Sequence, residues 1–247
     1  MTGGKRKVAL VTGAAGTMGL ATAKFLLEDG FVVVMADLDE KRLKDVAAPL
    51  GPDTHLIAFD VSKYDEVEAA VRRIETEIGP VDVLVNNAGI LSNNKVAETT
   101  PDEWHRVLAV TLDGAFYLSK LILPGMKARR WGRIVNTCSF AMKSGGLTAG
   151  TAYTTSKGAL QALTFSLARE SVEYGVTVNG IAPAYVKTPM VTEQLTEAQR
   201  QALLQQIPMR RFCEPEEFAH CVRFFVSPLS GFITGEILDL NGGLLFD

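Results

Sequence analysis

The chain has 247 residues, of which 47% are apolar, and a formal net charge of −3. That length accommodates one large α/β domain or two small ones around a sizeable core, and the faint acidity offers nothing to nucleic acid or to an anionic membrane surface. The three cysteines (Cys138, Cys213, Cys221) and three histidines (His55, His105, His220) lack ligand-like spacing, so they predict no metal site and no disulfide framework.

In chain order, Lys5-Arg6-Lys7 ahead of an apolar run mimics a secretory leader, but Gly13, Gly16 and Gly19 interrupt the run. Residues 8–11 read as a short buried strand, followed by a Gly-rich turn and a helix from about Met18 to Glu28. Residues 31–36 predict a second strand, then a charged helix from about Asp39, and residues 56–59 a third strand. Residues 63–78 form an amphipathic helix with Val67, Ala70, Val71 and Ile74 on its apolar face. A fourth strand at 81–85 precedes a long helix that starts at Pro101, with Thr100 as its cap, and runs to about Leu121. Residues 133–137 predict a strand, 151–173 a helix, 176–181 a strand, 215–225 a helix and 237–240 a seventh strand. Apolar strands alternating with helices indicate an α/β domain with a doubly wound parallel sheet covered on both faces. No linker divides residues 1–247, so one domain is expected, with residues 184–208 as a substrate lid. No apolar stretch reads as long enough to span a membrane. Few cysteines and no membrane segment make the expected setting the reducing cytoplasm.

Thr12-Gly13-Ala14-Ala15-Gly16-Thr17-Met18-Gly19 lies between the first strand and the first helix. Glycines there permit a tight turn and close approach of backbone to a pyrophosphate, which the helix N-terminus attracts. Asp37 ends the second strand, eighteen residues after Gly19, where a carboxylate can accept ribose hydroxyls and repel a 2′-phosphate. No Arg or Lys stands at Gly16 or Leu38 to neutralise such a phosphate, so NAD is expected in preference to NADP. Tyr153 and Lys157 sit four residues apart on one helix face. A cation near a phenol favours its ionised form, which makes the pair an acid/base device.

These segments occur together with Asp60-Val61, Asn86-Asn87-Ala88-Gly89, Ser139, and Asn179-Gly-Ile-Ala-Pro183 followed by Val186-Lys-Thr188. In that order the chain resembles the single-domain branch of the short-chain dehydrogenase/reductase family, over nearly its whole length. The resemblance implies a Rossmann fold and a hydride transfer between nicotinamide and a small-molecule alcohol or ketone. It assigns Gly13, Gly16, Thr17, Met18, Gly19, Asp37, Leu38, Asp60, Val61, Asn87, Ala88 and Gly89 to the dinucleotide. Pro183, Val186 and Thr188 would border the nicotinamide. Tyr153 would be the acid/base, Ser139 would hydrogen-bond the substrate oxygen, and Lys157 would hold the nicotinamide ribose and depress the tyrosine pKa. Thr111 stands where the family usually has a catalytic asparagine that supports a water-linked proton relay. Thr17 replaces the branch's usual middle glycine, Ala184 replaces a common glycine, and the Ser139–Tyr153 separation of fourteen is one longer than the commonest. The resemblance also implies a homotetramer.

The substrate is expected to meet residues 91–96, 140–152 and the lid, a surface that mixes Phe140, Met142, Leu147, Tyr185 and Met190 with Lys143, Ser144, Thr148 and Thr151. It suits a polyol, a hydroxy acid or a β-ketoacyl thioester. The chain is also similar to β-ketoacyl carrier-protein reductases, which mostly use NADPH. Asp37 therefore favours NAD-linked oxidation of a secondary alcohol, with the ketoreductase as the alternative. A catalytically silent dinucleotide-binding scaffold or sensor is the alternative of another class.

Overall fold

The computed structural model describes residues 6–188 and 196–246. Its strands are β1 Val8–Thr12, β2 Val32–Asp37, β3 Thr54–Ala58, β4 Val81–Asn86, β5 Gly132–Thr137, β6 Val176–Pro183 and β7 Ile237–Leu240. They form one parallel seven-stranded sheet in the order β3-β2-β1-β4-β5-β6-β7. The helices are α1 Thr17–Glu28, α2 Glu40–Ala47, α3 Tyr64–Glu77, α4 Pro101–Leu108, α5 Gly114–Arg129, α6 Ala141–Ser144, α7 Thr151–Ser171, α8 Glu197–Gln206 and α9 Pro215–Val226. This is the expected doubly wound, Rossmann-type α/β domain.

Successive residues of a strand face opposite sides of the sheet, so each central strand feeds two cores. Val33 and Met35 of β2 join Leu26, Leu43, Phe218 and Phe225 on the face covered by α1, α2 and α9. Val34 and Ala36 join Val67, Ile74, Leu118, Ile122 and Leu167 on the face covered by α3, α5 and α7. Both faces are sealed, which is why the central strands read as unbroken apolar runs rather than alternating ones.

The strand order reverses between β1 and β4. Val11 pairs with Met35 of β2 on one side and with Val85 of β4 on the other. Helices leave on opposite faces at such a switch point and open a crevice beyond the carboxyl ends of the strands.

Several boundaries differ from expectation. β3 begins at Thr54, opposite Val33 of β2, two residues before the apolar signal starts. The helix expected from Pro101 to about Leu121 is interrupted by a π-helical turn, Ala109–Asp113, and continues to Arg129. Thr100 caps it as expected, its hydroxyl accepting from Glu103 N at 3.2 Å. The joined stretch Pro101–Arg129 is long and apolar enough to cross a membrane by length and composition, which corrects the expectation that no stretch qualifies. Its inward face, with Leu118, Ile122 and Met126, packs into the core. The short α6, unsignalled by any periodicity, follows Ser139. Of the expected lid, α8 is present, whereas residues 189–195, including Met190, lie outside the described residues.

Candidate active site

The crevice begins at the Gly-rich turn. Gly13 takes φ +62°, and Gly19 lies so close to the incoming loop that a Cβ there would overlap the Gly13 carbonyl and sit 2.8 Å from Ala14 Cα. α1 therefore starts hard against β1. Its N-cap, Gly16, has no side-chain cap, so the first N–H groups of α1, from Thr17 onward, are presented to the crevice. Asp37 stands beside them. Its Oδ2 accepts from Ala15 N at 3.0 Å and its Oδ1 from Asp39 N at 3.2 Å. A carboxylate has about four lone-pair sites, so both oxygens keep capacity for ribose hydroxyls. Leu38, 70% exposed, brings no cation next to them.

The far wall comes from the segment after β4, and a residue to which sequence reasoning gave no role fastens it. Thr12 Oγ1 lies 3.3 Å from Val85 O, to which it donates, and accepts from both Asn87 N and Ala88 N at 3.0 Å. Asn87 Nδ2 donates back to Thr12 O at 2.9 Å and Gly13 O at 3.2 Å. Asp60 is ordered by Ser62, whose N–H and hydroxyl donate to its Oδ1 at 2.9 and 2.6 Å. Val61 packs against Gly114 so closely that a Cβ there would sit 2.9 Å from Val61 Cβ. An uncapped helix start, a carboxylate with spare lone pairs and a glycine-lined approach together fit a nicotinamide dinucleotide.

At the other end of the crevice, β5 delivers Ser139 and α7 delivers Tyr153 and Lys157. The three line one cleft of about 250 Å³ together with Met18, Asn87, Gly89, Pro183, Val186 and Thr188. Ser139 Oγ accepts from Ala141 N, the first residue of α6, at 3.1 Å. Burial pushes the Tyr153 phenol above its ordinary pKa, and a hydrogen bond with the Ser139 side chain offsets part of that. The expectation that Lys157 depresses the phenol pKa is not met in the protein alone. Lys157 Nζ lies 5.6 Å from the Tyr153 ring centroid and spends a proton on Thr137 O at 2.5 Å. Burial lowers the Lys157 pKa to about 8. Cys138, beside Lys157, is buried as a packing residue, and its thiol is pushed up to about 11 by desolvation.

Thr111 lies within the π-helical turn, 1% exposed, and its hydroxyl has no hydrogen-bond partner among the described residues. A Cβ placed on Gly89 would lie 3.4 Å from Lys157 Nζ and 3.6 Å from Thr111 Oγ1. Both groups thus face one point behind the cleft. Turns of this type concentrate at functional sites because the extra residue frees backbone groups.

The outer walls are Leu91, Phe140, Leu147, Thr148 and Tyr185, all anticipated as substrate-facing. Three other anticipated residues are not in the lining. Met142 packs beside Cys138, Leu160 and Ile237 in a small core cluster. Lys143 forms a part-buried ion pair with Asp239 at 2.7 Å, which turns its ammonium away from the cleft's lining. Thr151 opens α7, its N–H donating to Asn94 O at 3.0 Å. Sequence reasoning also missed the buried chain behind the cleft. Asn86 Nδ2 donates to Asn136 Oδ1, and Asn136 Nδ2 to Thr164 Oγ1, each at 2.8 Å. An Asn in a strand and a Thr in a helix carry no signal of their pairing before the elements are docked.

A family model described as enoyl-(acyl carrier protein) reductase matches residues 13–245. The chain is 40% identical over 239 residues to the 3-oxoacyl-[acyl-carrier-protein] reductase FabG of Vibrio cholerae, covering 96% of this chain and 97% of that one. It is 38% identical over 246 residues to nodulation protein G of Azospirillum brasilense, covering 97% and 98%. It is 35% identical over 242 residues to the acetoacetyl-CoA reductase of Shinella zoogloeoides, covering 97% and 99%. These names favour the ketoreductase alternative over the polyol or hydroxy-acid reading.

Proposed function

This chain belongs to the short-chain dehydrogenase/reductase family of NAD(P)-dependent oxidoreductases acting on CH–OH groups, and from that premise we propose that it reduces the 3-oxo group of an acyl thioester, with NADH as the preferred donor. The observation that carries the choice of substrate is the cleft's outer wall. Leu91, Phe140, Leu147 and Val186 face the space in front of Ser139 and Tyr153, and the polar additions there are few, chiefly Ser144, Thr148 and the Tyr185 hydroxyl. A polyol needs a partner for each hydroxyl, whereas an acyl chain needs apolar cover. Asp37 beside the exposed Leu38 supports NADH over NADPH.

When bound, the dinucleotide supplies the hydride. In the same reading this chain's residues do the rest. The uncapped start of α1 receives the pyrophosphate and Asp37 the ribose hydroxyls. The Ser139 hydroxyl donates to the 3-oxo oxygen as negative charge develops on it. Tyr153, kept protonated by burial, gives that oxygen its proton. Lys157 holds the nicotinamide ribose and keeps positive charge beside the phenolate left behind. The unpartnered Thr111 hydroxyl, facing the same point as Lys157 Nζ, supports a water-linked route that returns a proton to Tyr153. For assembly we propose a homotetramer, supported by the half-exposed Phe116 and Phe165 on α5 and α7 and the fully exposed Leu229 and Phe232; light scattering reads this directly.

The test is turnover of acetoacetyl-CoA with NADH. Tyr153→Phe should lower kcat by about 10²–10⁴-fold while NADH still binds. Wild-type protein that binds NADH tightly, yet reduces neither this thioester nor simple ketones, would instead support the scaffold reading.

A further inference from the structure

The segment 145–150, which carries the outer wall residues Leu147 and Thr148, is tied locally, among the described residues, only at its two ends, by Gly146 N donating to Ala141 O and Thr154 N to Gly150 O, each at 3.0 Å. Gly145 and Gly146 are both left-handed, at φ +71° and +74°, so the backbone there is the kind that loses most freedom on ordering. Leu147 is 62% exposed, and so gains little from burial. Further bonds come from a neighbouring loop. Gly150 N donates to Ser92 O at 2.6 Å and Thr151 N to Asn94 O at 3.0 Å. Gly150 approaches so closely that a Cβ would overlap Asn94 O and lie 2.8 Å from Asn94 N.

Lys95 completes this seam. Its Nζ donates to Gly146 O and to Ala149 O, each at 2.7 Å, bracketing Leu147 and Thr148. Among the described residues it has no carboxylate partner, unlike Lys143, Lys187 and Arg211 near the same cleft. Its own backbone is fixed, because Lys95 O accepts from Glu98 N at 3.0 Å and Thr99 N at 2.9 Å. The base of this loop is tied to α4, since Ser92 Oγ and Asn94 Nδ2 both donate to the Glu103 carboxylate, which these bonds hold below its usual pKa. Two charge-assisted bonds from one ammonium thus span the two residues that face the substrate.

We propose that Lys95 is a positioning residue that sets the substrate wall, holding Leu147 and Thr148 against the cleft and thereby fixing which substituents beyond the reacting carbonyl the site accepts. It does not touch the reacting atoms. The start of α7, which carries Tyr153, is tied through Thr151 N to Asn94 O, whereas the Lys95 ammonium bonds only Gly146 O and Ala149 O, so its loss falls on substrate binding more than on the proton transfer. The substrate side of this inference rests on the proposed reduction of 3-oxoacyl thioesters; the loop side does not.

Two readouts on the cofactor-free and the cofactor-loaded enzyme keep those sides apart. In hydrogen–deuterium exchange without substrate, Lys95→Met should speed exchange across residues 145–151 by about tenfold, with residues 160–168 of α7 unchanged and Lys95→Arg restoring protection. In turnover of acetoacetyl-CoA and a longer 3-oxoacyl-CoA, Lys95→Met should raise KM about tenfold and narrow the discrimination between them, with much less change in kcat. Unchanged exchange in Lys95→Met overturns the inference, as does a proportional fall of kcat for both substrates at unchanged KM. Faster exchange in a protein whose wild type reduces neither thioester would leave the seam standing and overturn the proposed function instead.

Discussion

Replacing Asp37 by Asn tests the dinucleotide preference most directly. Asn is nearly isosteric and keeps one carbonyl acceptor for Ala15 N or Asp39 N, which the carboxylate holds at 3.0 and 3.2 Å. What it removes is the charge. A 2′-phosphate seated where the ribose hydroxyls meet Asp37 would put like charges roughly 4 Å apart, about 4 kcal/mol per charge pair at an effective dielectric of about 20. Asp37 is only half-buried, so solvent screens part of this. A repulsion of about 2–4 kcal/mol is left, equivalent to about 30- to 1000-fold in kcat/KM against NADPH. The wild type should therefore favour NADH by at least the lower figure. Asp37→Asn should recover most of the NADPH deficit, with a loss of about tenfold or less for NADH as its ribose exchanges a charged acceptor for a neutral one. Steady-state kcat/KM for each dinucleotide, at one fixed ionic strength, measures both. A wild type that favours NADPH, or a ratio that Asp37→Asn leaves unmoved, would refute the reasoning.

Lys157, lowered by burial to about 8, and Tyr153, raised by burial, separate in pH. If Lys157 holds the ribose as proposed, kcat/KM for NADH should fall as pH rises through about 8, as its ammonium is lost while the phenol stays protonated. The stability term has the opposite sign. The folded lysine releases its proton before the unfolded one, so between about 8 and 10.5 this group adds stability as pH rises, and the same term is lost as pH falls through about 8. A flat pH–rate profile to pH 10 would contradict this. Gly19→Ala should abolish dinucleotide binding while leaving a folded protein of lower Tm, because its Cβ meets backbone rather than a movable side chain; equilibrium titration with NADH checks it.

How much of this was legible in the sequence depended on how local each constraint is. Gly13, Gly19 and Asp37 were readable because strand, turn and helix follow one another within a short stretch and backbone geometry dictates the residue types. Tyr153 and Lys157 were readable as neighbours because helical spacing fixes which side chains share a face. Their electrostatics were not, because Lys157 turns to Thr137 O, a strand residue twenty positions away. The interruption at Thr111 was invisible for a similar reason. The periodicity from Pro101 onward is unbroken, and the π-helical turn is resolved only where the helix packs beside Gly89 and Lys157. Lys95 looked like any loop lysine, and Lys143 like one more substrate-facing residue, until the partners of each were in place. The apolar run of β3 began at Leu56, but pairing with β2 drew in Thr54 and His55, which no hydrophobic pattern would recruit.

One oxygen, Thr12 Oγ1 at the end of β1, gathers three bonds from the other side of the switch point. Prising the Gly-rich turn away from the segment after β4 would break its bonds to Val85 O, Asn87 N and Ala88 N together with those of Asn87 Nδ2. The two halves of the crevice are thus sewn to a common hem before any ligand arrives. A ligand that occupies one half of the crevice therefore finds the other half already spaced, with no need to pull the two strands together.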